Sequence, residues 1–577
     1  MANFYKDTPQ LAYHLRHPLM KRIVELKERN YQEAKEFDYA PQNFDDAIDS
    51  YEAVLDIVGD LCGNQLAPNA QDIDKIGPTL KEGRAFYDPL TAKNLEAVTQ
   101  AGLTGIALPR QYGGLNFPIT PYIMAADMIS RSDASFENLW GLQSCATILY
   151  EYGNDDQRQR FLPRVCQGET MSMDLTEPDA GSDLQSVMLK ATYNKEEDAW
   201  YLDGVKRFIT NGDSQIHLVL ARTEEGTKDA RGLSMFVFDA KNNPGLSVRR
   251  IENKMGIKGV PTCELVFTHA KAELCGQRRF GLIKYVMALM NDARLGIMSQ
   301  AVGISEAAYR EAYNYAIERK QFGKTIDNFP AVYDMLAIMR AKTDATRVHL
   351  YETSRYVDVY RALDEVARHR KLTPEEREEQ KHYSRLADAF TPLGKGISTE
   401  YANQNVYDCV QIHGGSGYMK DYPCERLYRD ARITNIYEGT TQLQVVAAIR
   451  YATSGLYFDV VREYRKREVK SELNPLKEKM AILLEKAEAI SKKLHDSENQ
   501  DLLDFHARKL IEAVAHTVFS HLLLLAANEA PEHYLQSCKV YLRYALAEMA
   551  KIEAFVNLVG ESELEDYRNT QTFPTVE

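Results

Sequence analysis

A change of texture near residue 170 constrains this chain more than any other feature. Upstream of it, apolar residues recur at helical spacing, as in Leu19, Met20, Ile23, Val24 and Leu26. From about 170 to 280 the residues alternate and are β-branched, as in 200–205, 217–222 and 233–238. Asp203-Gly204, Asn211-Gly212 and Pro244-Gly245 punctuate that stretch as turns. Helical spacing returns near 281, and a further set of amphipathic helices runs from 456 to about 560. Strands enclosed between helical stretches predict an α+β protein with a small barrel or sandwich as a separate domain. Residues 104–109 and 111–114 read as a loop between helices, and 371–380 as a charged surface break between two long ones.

The chain has 577 residues, enough for several domains. Its net charge of −13 argues against a general affinity for nucleic acid, which needs a basic footprint. Its eight cysteines are scattered, with no CxxC pair, so zinc ribbons and thioredoxin-like sites are not expected and no metal is assigned. The start lacks the charged and apolar regions of a signal peptide. The aliphatic run Leu522–Leu525 is too short to span a bilayer, so no membrane insertion is expected. These features together predict a cytoplasmic protein.

Four segments could carry chemistry. Residues 173–183 open the β stretch and offer Thr176 and Ser182 hydroxyls beside Gly181, which suit the edge of a planar heterocycle. Alone, the segment reads more simply as a Pro/Gly turn. Residues 206–212 read as a strand ending in a hairpin-like Asn-Gly turn, with Phe208 and Thr210 able to meet a ring. An ordinary hairpin with a buried Phe fits as well. Arg294 lies on a long helix that ends near Gly323 after Arg319 and Phe322, residues suited to a phosphate and an adenine or simply to a helix C-terminus. Gln411–Gly417 is a glycine-rich loop that lets backbone N–H groups approach a phosphate. It precedes Tyr437, Glu438, Gly439, Thr440 and Gln442, where a lone carboxylate stands at a helix start. His413 has no second metal-type residue at ligand spacing and is given no catalytic role.

Taken in order, the segments 176–183, 209–212, 318–323, 411–417 and 437–440 resemble the acyl-CoA dehydrogenase family of flavoproteins over about residues 80–450. The resemblance implies an N-terminal helical domain, a middle β-barrel and a C-terminal four-helix bundle. The chain then divides into an N-terminal helical extension (1–80), the N-terminal helical domain (81–168), the middle β domain (169–280), the C-terminal bundle (281–455) and an additional C-terminal helical domain (456–577). FAD is the implied cofactor. Met173, Leu175, Thr176, Phe208, Ile209, Thr210, Thr440 and Gln442 match positions at the flavin. Arg319 and Phe322 match residues reaching the diphosphate and adenine held by a partner subunit, and Gln411 and Gly415 match the loop on the same moiety. Ser182, Arg294 and Arg450 match positions meeting coenzyme A, with Tyr437 and Gly439 beside the acyl group.

Glu438 matches the family's catalytic base. The resemblance implies abstraction of the α-proton, hydride transfer from Cβ to flavin N5, and release of a trans-2-enoyl-CoA, with electrons passing to an electron-transferring flavoprotein. An acyl-CoA oxidase using oxygen, or a non-catalytic DNA-binding or assembly member, are the alternatives. The acidic balance and Glu438 weigh against the last. Asn291 stands where many members have Asp, and Phe208 where Trp is usual. The long termini resemble the bacterial subgroup that includes methylmercaptopropionyl-CoA dehydrogenases. On that basis a homodimer is expected, packed through Val514, Val518, Leu522 and Leu525, although a helix buried within one subunit gives the same stripe.

Overall fold

The computed structural model describes residues 2–571 apart from Asn242; residues 572–577 of the C-terminal block lie outside the described residues. The chain begins with helices α1 (Gln10–Leu15), α2 (Leu19–Lys27), α3 (Phe44–Leu61) and α4 (Ala67–Ile76). A small ribbon follows, β1 (Thr79–Lys81) and β2 (Arg84–Phe86), then α5 (Pro89–Gln100), α6 (Ile119–Ser132), α7 (Ala134–Trp140), α8 (Cys145–Tyr152) and α9 (Asp155–Cys166). Local chemistry sets several boundaries: Asn154 and Gln157 form a reciprocal capping box at the start of α9.

The β domain comprises β3 (Met171–Asp174), β4 (Lys190–Asn194), β5 (Ala199–Thr210), β6 (Ile216–Arg222), β7 (Leu233–Asp239), β8 (Leu246–Ile251) and β9 (Thr262–Cys275). Its strand order is β3-β6-β4-β5-β9-β7, and a further β6–β7 pairing closes the sheet into a barrel. Phe236, Phe238 and Phe267 fill its interior with Leu202 and Leu265. The Asn211-Gly212 turn is not a hairpin. Strand β5 pairs with β4 and β9, whereas β6 pairs with β3 and β7. Asn211, in the left-handed region at φ 53°, instead ties down neighbouring strands: its N–H donates to the Pro261 carbonyl at 2.7 Å and its Nδ2 to the Met171 carbonyl at 3.1 Å.

The bundle follows. Helix α10 (Met287–Glu318) stops at Glu318 rather than at Gly323. Next comes a two-stranded ribbon, β10 (Lys320–Gln321) and β11 (Lys324–Thr325), with Phe322 and Gly323 at its turn in the left-handed region (φ 50° and 82°). Helices α11 (Pro330–His369) and α12 (Pro374–His413) come after it. The charged segment 371–380 therefore holds only a short break. Thr373 and Glu376 form a capping box with Pro374 in the first turn, so residues from 374 onward are helical. Then come α13 (Cys424–Ala431), α14 (Thr441–Thr453), α15 (Leu456–Lys466), α16 (Asn474–Asp496), α17 (Gln500–Glu529), α18 (Pro531–Leu558) and α19 (Leu564–Asn569).

The stripe on α17 is not a free packing face. Val514, Val518 and Leu522 are buried inside this one chain, with Leu525 packed against the same core, which also takes in α3, α6, α11, α12 and α18. Helix α17 is long and apolar enough to cross a membrane, but 89% of its most apolar window is buried within the protein. The extension thus adds to the core because its apolar stripe is covered by α11, α16 and α18.

One guanidinium joins three layers. Arg347 on α11 is 1% exposed at the side chain; it donates to Asp127 on α6 at 3.2 Å and to Glu306 on α10 at 2.9 Å. The Tyr351 hydroxyl donates to the same Asp127 at 2.8 Å. Burial pushes Glu306 up, but Arg347, Arg340 and Arg310 outweigh it and hold its carboxyl well below the usual range. Substituting Arg347→Met would leave two buried carboxylates without this cation, with a loss of about 3–5 kcal/mol. A urea unfolding curve followed by circular dichroism should show a midpoint well below that of the unaltered protein.

Candidate active site

A cavity of about 940 Å³ lies where α6–α8, the barrel, α10 and the turn before α14 meet. The barrel contributes one wall through Met173, Leu175, Thr176 and Ser182 after β3 and Phe208, Ile209 and Thr210 at the end of β5. A buried lysine fixes these two segments together. Lys206 Nζ donates to the Leu175 carbonyl and to Glu177 Oε1, each at 2.9 Å. The Glu177 carboxylate also accepts from the N–H groups of Met188 and Leu189. An ion pair this deeply buried needs further hydrogen bonds, and here both carboxylate oxygens and two of the ammonium's three donors are engaged.

The barrel wall presents groups with little else to bind. The register of β5 against β9 slips between Lys206 and Ile209. Within that bulge Phe208 adopts φ 61° and remains 52% exposed, facing the cavity. A bulky side chain in that backbone region is costly, and such strain collects at binding sites. Among the described residues the Thr176 and Thr210 hydroxyls have no protein hydrogen-bond partner. The Arg207 guanidinium lies over the Phe208 ring, 4.6 Å from its centroid, and the half-exposed ring beside two free hydroxyls fits a planar heterocycle with polar edges.

The opposite wall carries Arg294, Tyr437, Glu438, Gly439 and Thr440. Thr440 caps α14 by accepting from the Leu443 N–H at 3.3 Å. The turn before it is left-handed at Glu438 (φ 53°) and Gly439 (φ 88°), and its carbonyls are held from three helices. Lys395 on α12 donates to the Tyr437 carbonyl at 2.9 Å and the Gly439 carbonyl at 2.5 Å. Gln444 on α14 donates to the Gly439 carbonyl at 2.9 Å, and Arg294 on α10 to the Glu438 carbonyl at 3.5 Å. With its carbonyls engaged outward, the turn leaves the Glu438 carboxyl at the cavity. Burial pushes that carboxyl up to about 7, against the opposing pull of Lys395 and Arg294. Burial likewise brings the Lys395 ammonium down to about 7, with Glu438 opposing. A carboxyl poised near neutrality is suited to general-base work.

The other sequence-predicted residues lie away from this cavity. Arg319, Phe322, Gln411 and Gly415 are exposed, with Phe322 at 94%. The end of α10 meets the glycine loop, where Tyr315 stacks on His413 with ring centroids 4.3 Å apart and bonds Ser416. Gln442 is exposed in the first turn of α14, and Arg450 sits in its last turn, bonded to the Tyr451 hydroxyl at 2.8 Å. Asn291 accepts from Arg294 at 3.3 Å, holding its guanidinium. Lys395, Gln444, Lys206 and Glu177 act on the site but were not visible as site residues in sequence. Lys395 lies within a 40-residue helix and meets the turn only through tertiary packing. The one local signal was a lysine at an otherwise buried helical position.

Replacing Lys395 by Met should remove the charge that favours the Glu438 carboxylate, so that carboxyl should stay protonated to a higher pH. Infrared difference spectra across a pH titration would show the carboxyl band persisting further than in the unaltered protein. An unmoved band would mean that Lys395 holds backbone only.

Family models match nearly the whole chain in order. Those for the acyl-CoA dehydrogenase N-terminal, middle and C-terminal domains cover residues 49–169, 172–270 and 283–450, and one for a further acyl-CoA dehydrogenase C-terminal region covers 453–564. An acyl-CoA dehydrogenase of Bacillus subtilis is 34% identical over 409 residues, 69% of this chain and 97% of that protein. The 3-methylmercaptopropionyl-CoA dehydrogenase of Ruegeria pomeroyi is 32% identical over 425 residues, 69% of each chain. The solved acyl-CoA dehydrogenase of Bacillus anthracis shares the fold across 92% of both chains, the C-terminal extension included, with a TM-score of 0.74 at 22% identity. Five ordered motifs, a barrel set between helical domains and these relatives lead to one conclusion: the chain belongs to the acyl-CoA dehydrogenase family of oxidoreductases.

Proposed function

We propose that this protein oxidises an acyl-CoA thioester to the trans-2-enoyl-CoA, with Glu438 as the base that takes the α-proton. The observation carrying this reading is a carboxyl pushed up to about 7, fixed on a strained turn, facing Phe208, Thr176 and Thr210 across one cavity. The α-proton of a thioester is weakly acidic, so the base needs a raised pKa and a donor for the developing enolate oxygen. The Glu438 N–H donates to no described group and is available for that oxygen. The aromatic face and free hydroxyls of the barrel wall fit the flavin of FAD, which when bound supplies the acceptor for the β-hydride. Arg294 and Ser182 line the same cavity and suit coenzyme A.

The exposed patch of Arg319, Phe322, Gln411 and Gly415 is remote from the cavity in its own chain. A phenylalanine 94% exposed at a ribbon tip is suited to contact with a second copy. We therefore assign a homodimer in which each chain's patch meets the cofactor of the other, and an electron-transferring flavoprotein as acceptor. The acceptor rests on the form of residues 176–183, which resembles dehydrogenases more than oxidases. The eight cysteines are unpaired, which suits the cytoplasm.

Anaerobic titration of the FAD-loaded protein with acyl-CoAs should bleach its visible absorbance. Glu438→Gln should keep the absorbance and lose turnover by roughly 10²–10⁴-fold; near-normal turnover would sink the assignment. Because the base must be deprotonated, kcat/KM should rise with pH through about 7.

A further inference from the structure

The wall contributed by the N-terminal helices holds a carboxyl that the proposed reaction does not use. Glu137 on α7 is 4% exposed and lines the cavity. Its carboxyl has no ion pair and no hydrogen-bond partner among the described residues. The other deeply buried glutamates differ: Glu28 is paired with Arg110, Glu306 with Arg347 and Glu352 with Arg355. Room is kept for this side chain, since a Cβ at Gly141 would lie 2.8 Å from Glu137 Oε1. Next to it, Asn138 also lines the cavity. Its Oδ1 accepts from Gln300 at 3.1 Å and from the Tyr437 hydroxyl at 3.2 Å, while its Nδ2 is buried without a partner.

We propose that Glu137 and Asn138 form a polar subsite for the acyl chain, selecting acyl groups that carry a neutral hydrogen-bond acceptor, a hydroxyl or carbonyl oxygen beyond Cβ, over plain alkyl chains. This rests on the reading of the cavity as an acyl-CoA site. Leaving a buried polar group unpaired is costly, so an unpaired acid on the cavity wall points to a ligand that pairs it. Burial alone pushes the Glu137 carboxyl up to about 8, so near neutral pH it carries its proton and can donate. The Asn138 Nδ2 is enclosed behind it without a partner, so the donor at the cavity surface is Glu137. Tyr437 connects this subsite to the base. Its hydroxyl bonds Asn138 and Gln300, while its carbonyl is held by Lys395 one residue before Glu438. An alkyl chain of equal length would bury the Glu137 donor unsatisfied, and a site built around such a bond discriminates strongly against an analogue lacking the partner.

The test compares kcat/KM for hexanoyl-CoA with that for its terminal-hydroxyl and penultimate-keto counterparts, using the FAD-loaded protein and its Glu137→Leu and Glu137→Gln variants. The unaltered protein should favour an oxygenated chain by roughly tenfold or more. Glu137→Leu should abolish or reverse that preference while the alkyl substrate still bleaches the flavin. Glu137→Gln keeps a donor of similar shape and should retain most of the preference. A preference for hexanoyl-CoA in the unaltered protein, a ratio unmoved by Glu137→Leu, or a stronger preference for an ammonium-bearing chain would each overturn the inference and leave the dehydrogenase reading intact. Failure of every acyl-CoA to bleach the flavin would overturn both.

Discussion

The buried charge of Arg347 is the constraint on which the cavity depends. It clamps α6 of the N-terminal domain and α10 of the bundle to α11. Helix α6 leads directly into α7, which carries Glu137 and Asn138, and α10 carries Arg294. The two helical walls of the cavity are therefore set by one desolvated guanidinium whose carboxylate partners come from both sides. An arrangement like this adds little net stability, because desolvation offsets most of the attraction, but it tolerates few alternative packings. The N-terminal extension is tied to the same region from the far side. Tyr534 on α18 pairs with His14 on α1 at 2.9 Å, and both rings pack near Tyr351. The long termini are thus part of the scaffold that fixes the bundle.

Backbone strain marks two points that face each other across the cavity. Phe208 and Glu438 face the cavity from opposite sides, and both occupy the left-handed backbone region. Each is held there by a buried lysine nearby: Lys206, two residues before Phe208, grips the Thr176 loop, and Lys395 grips the carbonyls on either side of Glu438. A lysine is suited to this because its ammonium can donate to several acceptors at once. The two lysines differ in effect. Lys206 is paired with Glu177 and serves geometry, whereas Lys395 has, among the described residues, only carbonyls within hydrogen-bond reach and adds its charge to the balance at the Glu438 carboxyl. The site combines a rigid backbone with a carboxyl near neutrality, and both follow from excluding water around the turn.

The sequence was a good guide where the determining physics is local. The switch in periodicity near 170 and 281 located the barrel, since a period of two and a period of 3.6 bury different residues. The charged run 371–380 suggested a longer break than the chain makes, since the capping box at Thr373 starts α12 within it. Charges on the exposed first turns of a helix look the same as charges in a loop. Asn211-Gly212 failed as a hairpin because a turn dipeptide fixes backbone sign, not which strands pair. Gly323 marked a ribbon turn instead of a helix end for the same reason. The α17 stripe could not reveal what covers it, since an apolar face is equally suited to a neighbour within the chain or outside it.

By itself the sequence determined the element types, the family and several segments that the fold brings to one cavity, because glycine, threonine and carboxylate at fixed offsets leave few other readings. It placed Thr176, Phe208, Thr210, Arg294 and Glu438, which the fold brings to one cavity. Only tertiary structure decided that Arg319, Phe322, Gln411 and Gly415 are exposed and off the cavity lining, that Arg450 stands at the far end of α14, and that Lys395 acts on the Glu438 carboxyl. It alone set the unpaired Glu137 against the cavity. The reason is physical: burial and charge are properties of what surrounds a residue, and those surroundings come from segments hundreds of positions apart.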